Sequence, residues 1–492
     1  MPITRIPFGQ WLPDQGSLGN PGALVATNVI PEGGTYYPFK ALQATSTTPL
    51  SAYARGAISV TGSDGNNYNY AGDATKLYLL STAIWTDASR TSGGAYTTGS
   101  EERWDFAKFG EKVIAVNWND APQIITLGGA NFAALGGTPP KARCVAVVGD
   151  FVVMGNIDDG TPKFNKVRWS AFGDEATWTG TPNNQADEQE LEGNYGAIVR
   201  IIGGDTGHIF RERGIISMRR EGPPTIFGFY PVERNRGPIA HGAVCDAGNM
   251  MFFISNDDIY MFDGQQCQNI GATKVAKTIL DDIDVAYHYR ITSASDIRRS
   301  LVMWSYPGSG NDNGTPNKIA IYHWPSGSWA IAEVECNCLY VYISPGYTLE
   351  GLDSISTSLD ALTASLDSAT YQGGDLSLGA FSTAHNSGTF DGTALSATID
   401  TKELDSGEAG MALYADQARP IVEGGQAAIS IQHGTRDRLT DNVTWSSATT
   451  INNNGTFDIR NGARFHRFRT SITGGFDKAM GVDVRVKSHG LR

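Results

Sequence analysis

The residues best able to do chemistry in this chain of 492 residues stand in short local groups. Adjacent carboxylates occur at Asp174-Glu175, Asp257-Asp258 and Asp281-Asp282, the residue type with which glycosidases supply an acid and a nucleophile or base. That reaction needs two carboxyls about 5–9 Å apart across one cleft. Neighbours along a strand point to opposite faces, so none of the three pairs meets the need by itself. A thiol pair stands at Cys336 and Cys338, with no second Cys/His cluster at zinc spacing. The five cysteines, Cys144, Cys245, Cys267, Cys336 and Cys338, are few and odd in number. They read as buried thiols made in a reducing cytosol, not as a disulfide framework. No nucleophile elbow, phosphate-binding loop, dinucleotide fingerprint or zinc motif occurs in a supporting context. The expectation is a protein that is not an enzyme, with no catalytic, cofactor-binding or metal-binding residue and no cofactor.

The elements that would position any chemistry are β strands. Glycine stands at 58 residues and charged residues at 18 %, which suits short strands joined by tight turns. A three-part phrase of strand, Gly/Asp-rich turn, strand and closing hairpin recurs about six times between residues 51 and 335. Its third-strand anchors are Tyr78, Ile124, Val167, Ile216, Tyr260 and Ile321, at steps of 46, 43, 49, 44 and 61 residues. Four short strands at a period near 40–50 are the signature of propeller blades. The copies close on Trp85, Phe132, Trp178, Phe227 and Trp329, read as blade-to-blade packing. Asp73, Asp150, Asp205, Asp258 and Asp263 read as turn residues. SAFGDEATW (170–178) resembles the Asp-box of sialidases, with its Asp and Gly out of order.

The expected fold is all-β: a β-propeller of about six blades with a C-terminal β-sandwich and an extended N-terminal arm. Residues 1–50, rich in Pro and Gly, form the arm, laid over a neighbour or the ring; 51–345 form the propeller. Residues 346–402 are a connecting insert, in which LDSISTS-LDALTAS-LDSATYQ places Leu352, Ile355, Leu359, Leu362 and Leu366 on one stripe of a short Leu-Asp heptad helix. Residues 403–492 alternate as half-buried strands and form the sandwich. Within it, Arg464-Phe465-His466-Arg467-Phe468-Arg469 reads either as an interface or as a solvated face. The blade count is left open, because the arm and residues 330–345 could complete a partial blade.

The formal net charge of −13 disfavours tight nucleic-acid binding, since phosphate contacts need Lys and Arg. No run of eighteen apolar residues and no signal-peptide pattern occurs, so no membrane span and no secretion are expected. The sequons at Asn313, Asn442 and Asn454 then carry little weight.

Longer phrases carry a resemblance. LPDQGSLGNPGALVATNVIPEGGTYYPFKAL, DGNNYNYAGDATKLY, the block from His208 to Gly264, LDSISTSLDALTASLD and the ending RFHRFRTSITGGFDKAMGVDVRVKSHGLR resemble the tail nozzle, or tail stabilisation (tail tubular), proteins of short-tailed bacteriophages (podoviruses). The resemblance covers most of the chain. It implies a structural virion protein made in the host cytoplasm: a homohexamer ring below the portal and its adaptor ring. Genomic DNA would pass through the lumen without tight binding, and the ring would offer attachment surfaces for tail fibre or spike proteins. An acidic lumen would let DNA slide. The arm would clasp the next subunit, so its removal would leave soluble monomers. The alternatives are a carbohydrate- or receptor-binding propeller, or a tail-associated glycan hydrolase.

Overall fold

In the computed structural model, which describes residues 2–181, 183–346, 358, 373–407, 411–425 and 427–491, the repeated phrase folds into antiparallel sheets of four strands paired in chain order. The first blade comprises Gly56–Thr61, Asn67–Gly72, Leu77–Ser81 and Ile84–Asp87. Its first turn shows why Asp and Gly recur there. Asp64 accepts the Asn66 amide at 2.9 Å, and Gly65 sits at φ +81°, where a side chain would be strained. Five further sheets cover 105–134, 141–190, 198–233, 244–269 and 292–333, and all six anchor residues lie in the third strand of their sheet.

The closing aromatics pack each blade on the one before. Phe132 meets Tyr70 of the first blade edge-on at 5.6 Å, and Phe227 meets Phe151 and Trp169 of the third at 5.1 and 5.2 Å. Trp329 lies against Trp304 and Tyr322 and donates its indole N–H to the Ile270 carbonyl of the fifth blade at 3.2 Å. Asp73, fully buried, accepts the amides of Thr75 and Lys76 and the hydroxyls of Ser51 and Tyr78. Asp258 and Asp263 accept local amides in the same way.

The ring closes at seven blades, one more than the sequence repeat. The seventh takes its inner strand from Asn337–Ile343, then Leu376–Phe381 and Ser387–Thr389, and its outermost strand from Gln43–Ala44. It carries no recognisable copy of the phrase because its strands are gathered from three separated stretches. Two backbone amides, Thr45 and Ser46, donate to the Ser387 carbonyl at 2.8 and 3.2 Å. The Ser387 hydroxyl accepts the indole N–H of Trp85 at 3.0 Å, which seals the seventh blade against the first. The propeller therefore extends past residue 345, and the region 346–402 is less an insert than expected. The Leu-Asp heptads lie outside the described residues.

The arm also differs from the expectation. Ile3–Pro7 and Thr35–Pro38 join Met411–Glu423, Phe457–Ala463 and Lys478–Leu491 in one sheet of the sandwich. Val25–Thr27 enters the other, pairing antiparallel with Ala397–Asp400 and parallel with the sixth blade through Thr27 and Ile331. The sixth blade thus runs without a break into the sandwich as a ten-stranded sheet. Asn28 makes the corner: at φ +60° its amide donates to Ile331, and its side chain accepts the Glu333 amide and donates to Ser396. Phe8, Trp11, Ala26 and Tyr36 are buried with Phe468, Ile472, Val482 and Val484 in a single core. The first forty residues are a structural third of the sandwich, where free ends would have suited a clasp.

Deleting residues 1–40 should therefore abolish cooperative folding, because it uncovers that core and strips two sheets of partners. Urea unfolding of the purified truncation checks this. Aggregates or a featureless transition are expected, and a soluble monomer with the full-length midpoint would contradict the fold described.

Candidate functional site

A propeller's inner strands have a ladder partner on one side only, so their other edge leaves amides and carbonyls to be satisfied. In this chain each seam around the axis carries a bond from a side chain to a backbone group of the neighbouring blade or the segment next to it. Trp104 donates to the Asp73 carbonyl at 2.8 Å, and Asp105 accepts the Val145 amide at 2.9 Å. Asn156 donates to Ile198 at 2.9 Å and the Cys144 thiol to Val199 at 3.2 Å. Arg200 donates to Val244, Ser293 to Val244 at 2.9 Å, the Leu339 amide to the Thr292 hydroxyl at 2.9 Å, and Asn69 to Ile343 at 2.9 Å.

This belt surrounds an axial cavity of about 350 Å³ lined by Ser59, Arg103, Asp105, Arg200, His241, Asp246 and Cys338 among others. Arg103 crosses to the Ile291 carbonyl at 2.9 Å. Within the belt, Asp105, Cys144 and His241 bring one ligand-type atom each to within 4.8 Å of one another. His241 Nε2 stands 3.4 Å from Asp105 Oδ2 and is buried with no hydrogen-bond partner. Burial pulls Asp105 upward, but His241 and Arg200 hold it below the ordinary carboxylate range. Burial keeps His241 below its usual value, and burial with the neighbouring Asp105 pushes the Cys144 thiol up.

Of the groups singled out from sequence, Cys144 belongs to this cluster, whereas the carboxylate pairs are elsewhere and fasten turns or form ion pairs. Asp174 accepts the Ala176 amide at 2.8 Å and the Thr177 hydroxyl at 2.7 Å, while Glu175 pairs with Lys112 of the second blade. Asp257 holds the Tyr260 hydroxyl at 2.7 Å, and Asp282 binds Lys318 at 2.8 Å and Ser309 at 2.6 Å. The five cysteines are unpaired thiols, all buried except half-buried Cys267. Cys336 lies beside Ser305, and Cys338 faces the axial cavity.

The strand Phe465–Thr473 is not a basic face awaiting a partner. Its alternation turns His466 and Phe468 into the sandwich core and Arg467 and Arg469 outward, where both are neutralised. Arg469 forms a fork on Asp400 at 2.8 and 2.9 Å and lies 4.3 Å over the Trp445 ring. Arg467 and Arg436 converge on Glu403 at 3.4 and 2.6 Å. Inside, His466 Nε2 faces the carbonyls of Leu413 and Ala463 in the opposite sheet at 3.0 and 3.1 Å and must carry the proton. Its Nδ1 therefore accepts from His433 Nε2 at 2.8 Å. The sequence does not mark His433, and it marks His466 only within the Arg464–Arg469 run read as an interface or a solvated face, although both rings sit at inward positions of alternating strands.

The sequence matches no family model and no curated protein. Among solved structures it is similar to a computationally designed protein, Ika8, at 9 % identity and TM-score 0.38, over 71 % of this chain and 99 % of that one. It is similar to the WD40 repeats of RRP9 at 9 % identity and TM-score 0.36, over 63 % and 90 % of the two chains. A third likeness, at 10 % identity and TM-score 0.42, is to an extracellular domain from B. thetaiotaomicron, over 78 % of this chain and 44 % of that one.

The histidine pair gives a pH dependence with a definite sign. Burial and then His466 push His433 down to about 3, and burial holds His466 below its usual value. The unfolded chain takes up protons below pH ~6.5 that the folded pair refuses. Stability is thus full above that pH and falls as pH drops from there towards 3, by roughly 1.4 kcal/mol per pH unit for His433 alone. Urea midpoints at pH 7.5, 6.5 and 5.5 should show this slope in the wild type and a shallower one in His433→Gln, which retains a donor for His466. Equal slopes would contradict the assignment.

Proposed function

We propose that the chain is a structural virion protein, the tail nozzle of a short-tailed bacteriophage. It would form a homohexameric ring below the portal and its adaptor ring, lead the genome out of the capsid and present surfaces to tail fibres or spikes. The observation that carries this reading is the set of long phrases resembling that family, of which His208 to Gly264 is the longest. One residue of the phrase supports a scaffold reading. Arg211 within it is 2 % exposed and donates to the carbonyls of Gly196 at 2.9 Å and Glu192 at 3.0 Å, holding the approach to the fourth blade. The carboxylate pairs bound up in turns and ion pairs support a framework role in the same way.

The propeller's own axis is no conduit. Its cavity is crossed by Arg103 and is far too small for a duplex. The lumen of this proposal therefore lies between subunits, around the symmetry axis of the ring. With a net charge of −13 the surfaces facing it would repel phosphate, and DNA would slide.

Negative-stain imaging and mass measurement of the purified full-length chain, alone and mixed with an adaptor ring, test the reading. Rings of roughly six copies with an open centre are expected. A chain that stays monomeric under both conditions, or one that releases reducing ends from host polysaccharide, would overturn it in favour of a receptor-binding propeller or a glycan hydrolase respectively.

A further inference from the structure

We infer that Asp105, Cys144 and His241 form a binding site for a transition metal ion of the zinc class, which ties three segments of the ring together at the propeller axis. Asp105 opens the inner strand of the second blade, Cys144 lies in that of the third, and His241 lies in the short helical turn that leads into the fifth. The fourth blade separates the last two along the chain. A shared ion would thus join segments that are not neighbours in the ring, as the bond from Arg103 to Ile291 also does.

Three observations carry the assignment. The first is the ligand set: a thiolate, an imidazole and a carboxylate suit zinc, cobalt or iron(II), whereas calcium and magnesium take oxygen ligands alone. The second is spacing. Two ligand atoms about 2.1 Å from a tetrahedral ion lie about 3.4 Å apart. His241 Nε2 and Asp105 Oδ2 are 3.4 Å apart, too long for a good hydrogen bond and right for an edge of that tetrahedron. All three ligand atoms fall within 4.8 Å of one another. The third is the condition of that same nitrogen: His241 Nε2 is buried and faces Asp105 Oδ2 without a well-formed hydrogen bond, a condition that costs stability unless something between them completes it.

The surroundings fit as well. The Val145 amide donates at 2.9 Å to Asp105 Oδ2 itself and fixes the position of that oxygen, which keeps a second lone pair for the ion. Asp105 and His241 both line the axial cavity, which provides a route in and room for water as a fourth ligand. The two anionic ligands, carboxylate and thiolate, together balance a divalent ion. Binding converts the Cys144 thiol to thiolate, and its proton leaves to solvent. The bond from that thiol to the Val199 carbonyl is given up in exchange for the metal–sulfur bond.

Cobalt(II) is the probe, added to the chelator-treated full-length chain. One equivalent should produce the thiolate-to-cobalt absorption of a sulfur-ligated site together with intense visible bands of a tetrahedral ion. Cys144→Ser should lose the thiolate absorption, and His241→Ala should weaken binding by more than the roughly 10–100-fold that outer-shell changes cost. Cys245→Ser, a nearby axial thiol outside the cluster, should behave as wild type. Native mass spectrometry of the zinc-treated wild type needs no variant and should show one added zinc per chain. No stoichiometric uptake by the wild-type chain, or a thiolate band that survives in Cys144→Ser, overturns the assignment.

Discussion

The unpaired inner edges of the blades are the constraint from which the rest of this structure follows. Each inner strand is hydrogen-bonded on one side only, and buried backbone groups left unpaired cost roughly 1–3 kcal/mol each. The chain answers with a belt of side chains, among them Asn69, Asp105, Asn156, Arg200, Ser293 and Thr292, each bonded to the main chain of a neighbouring blade. Polar and charged residues are thereby drawn to an axis that apolar packing alone would have left bare. The concentration of titratable groups there is first a consequence of ring closure, and any ligand chemistry is built on top of it.

Closure itself depends on the first fifty residues. Residues 43–46 supply the outermost strand of the seventh blade and its bonds to Ser387, and Val25–Thr27 splices the sixth blade to the sandwich. The two joints lie within one short stretch, so the ring and the sandwich are linked through sheet as well as through chain. A propeller held in this way offers stiff surfaces to neighbours. Stiffness of that kind suits the proposed place in a virion, where a subunit transmits load and guides DNA without holding it.

Much of the propeller was legible in the sequence because its blades repeat. Tyr78, Ile124, Val167, Ile216, Tyr260 and Ile321 report the third strand of six blades, and the closing aromatics report the seams. The seventh blade was hidden, since Gln43–Ala44 and Ser387–Thr389 are too short to show a period and are more than 340 residues apart. The arm's prolines suggested an extended strap. Pro7 instead ends a strand paired with the distant Lys478–Leu491, and Pro31 and Pro38 lie in a local hairpin that joins the same C-terminal strand through Tyr36 and Ala479, a tertiary effect no local pattern reveals. The axial cluster was harder still: Asp105, Cys144 and His241 have no motif spacing. They meet because the inner strands of the second and third blades and the turn that leads into the fifth all face one axis, a convergence that only the closed ring creates.

Hydrogen exchange on the full-length chain, followed by mass spectrometry, tests most directly whether the N-terminal segment closes the ring. Peptides covering residues 43–46 and 385–389 should be protected together, at a level near that of Leu376–Phe381 in the same blade, because the amides of Thr45 and Ser46 are engaged by Ser387. Exchange of residues 43–46 at the rate of an unstructured peptide, with the neighbouring strands still protected, would contradict the account.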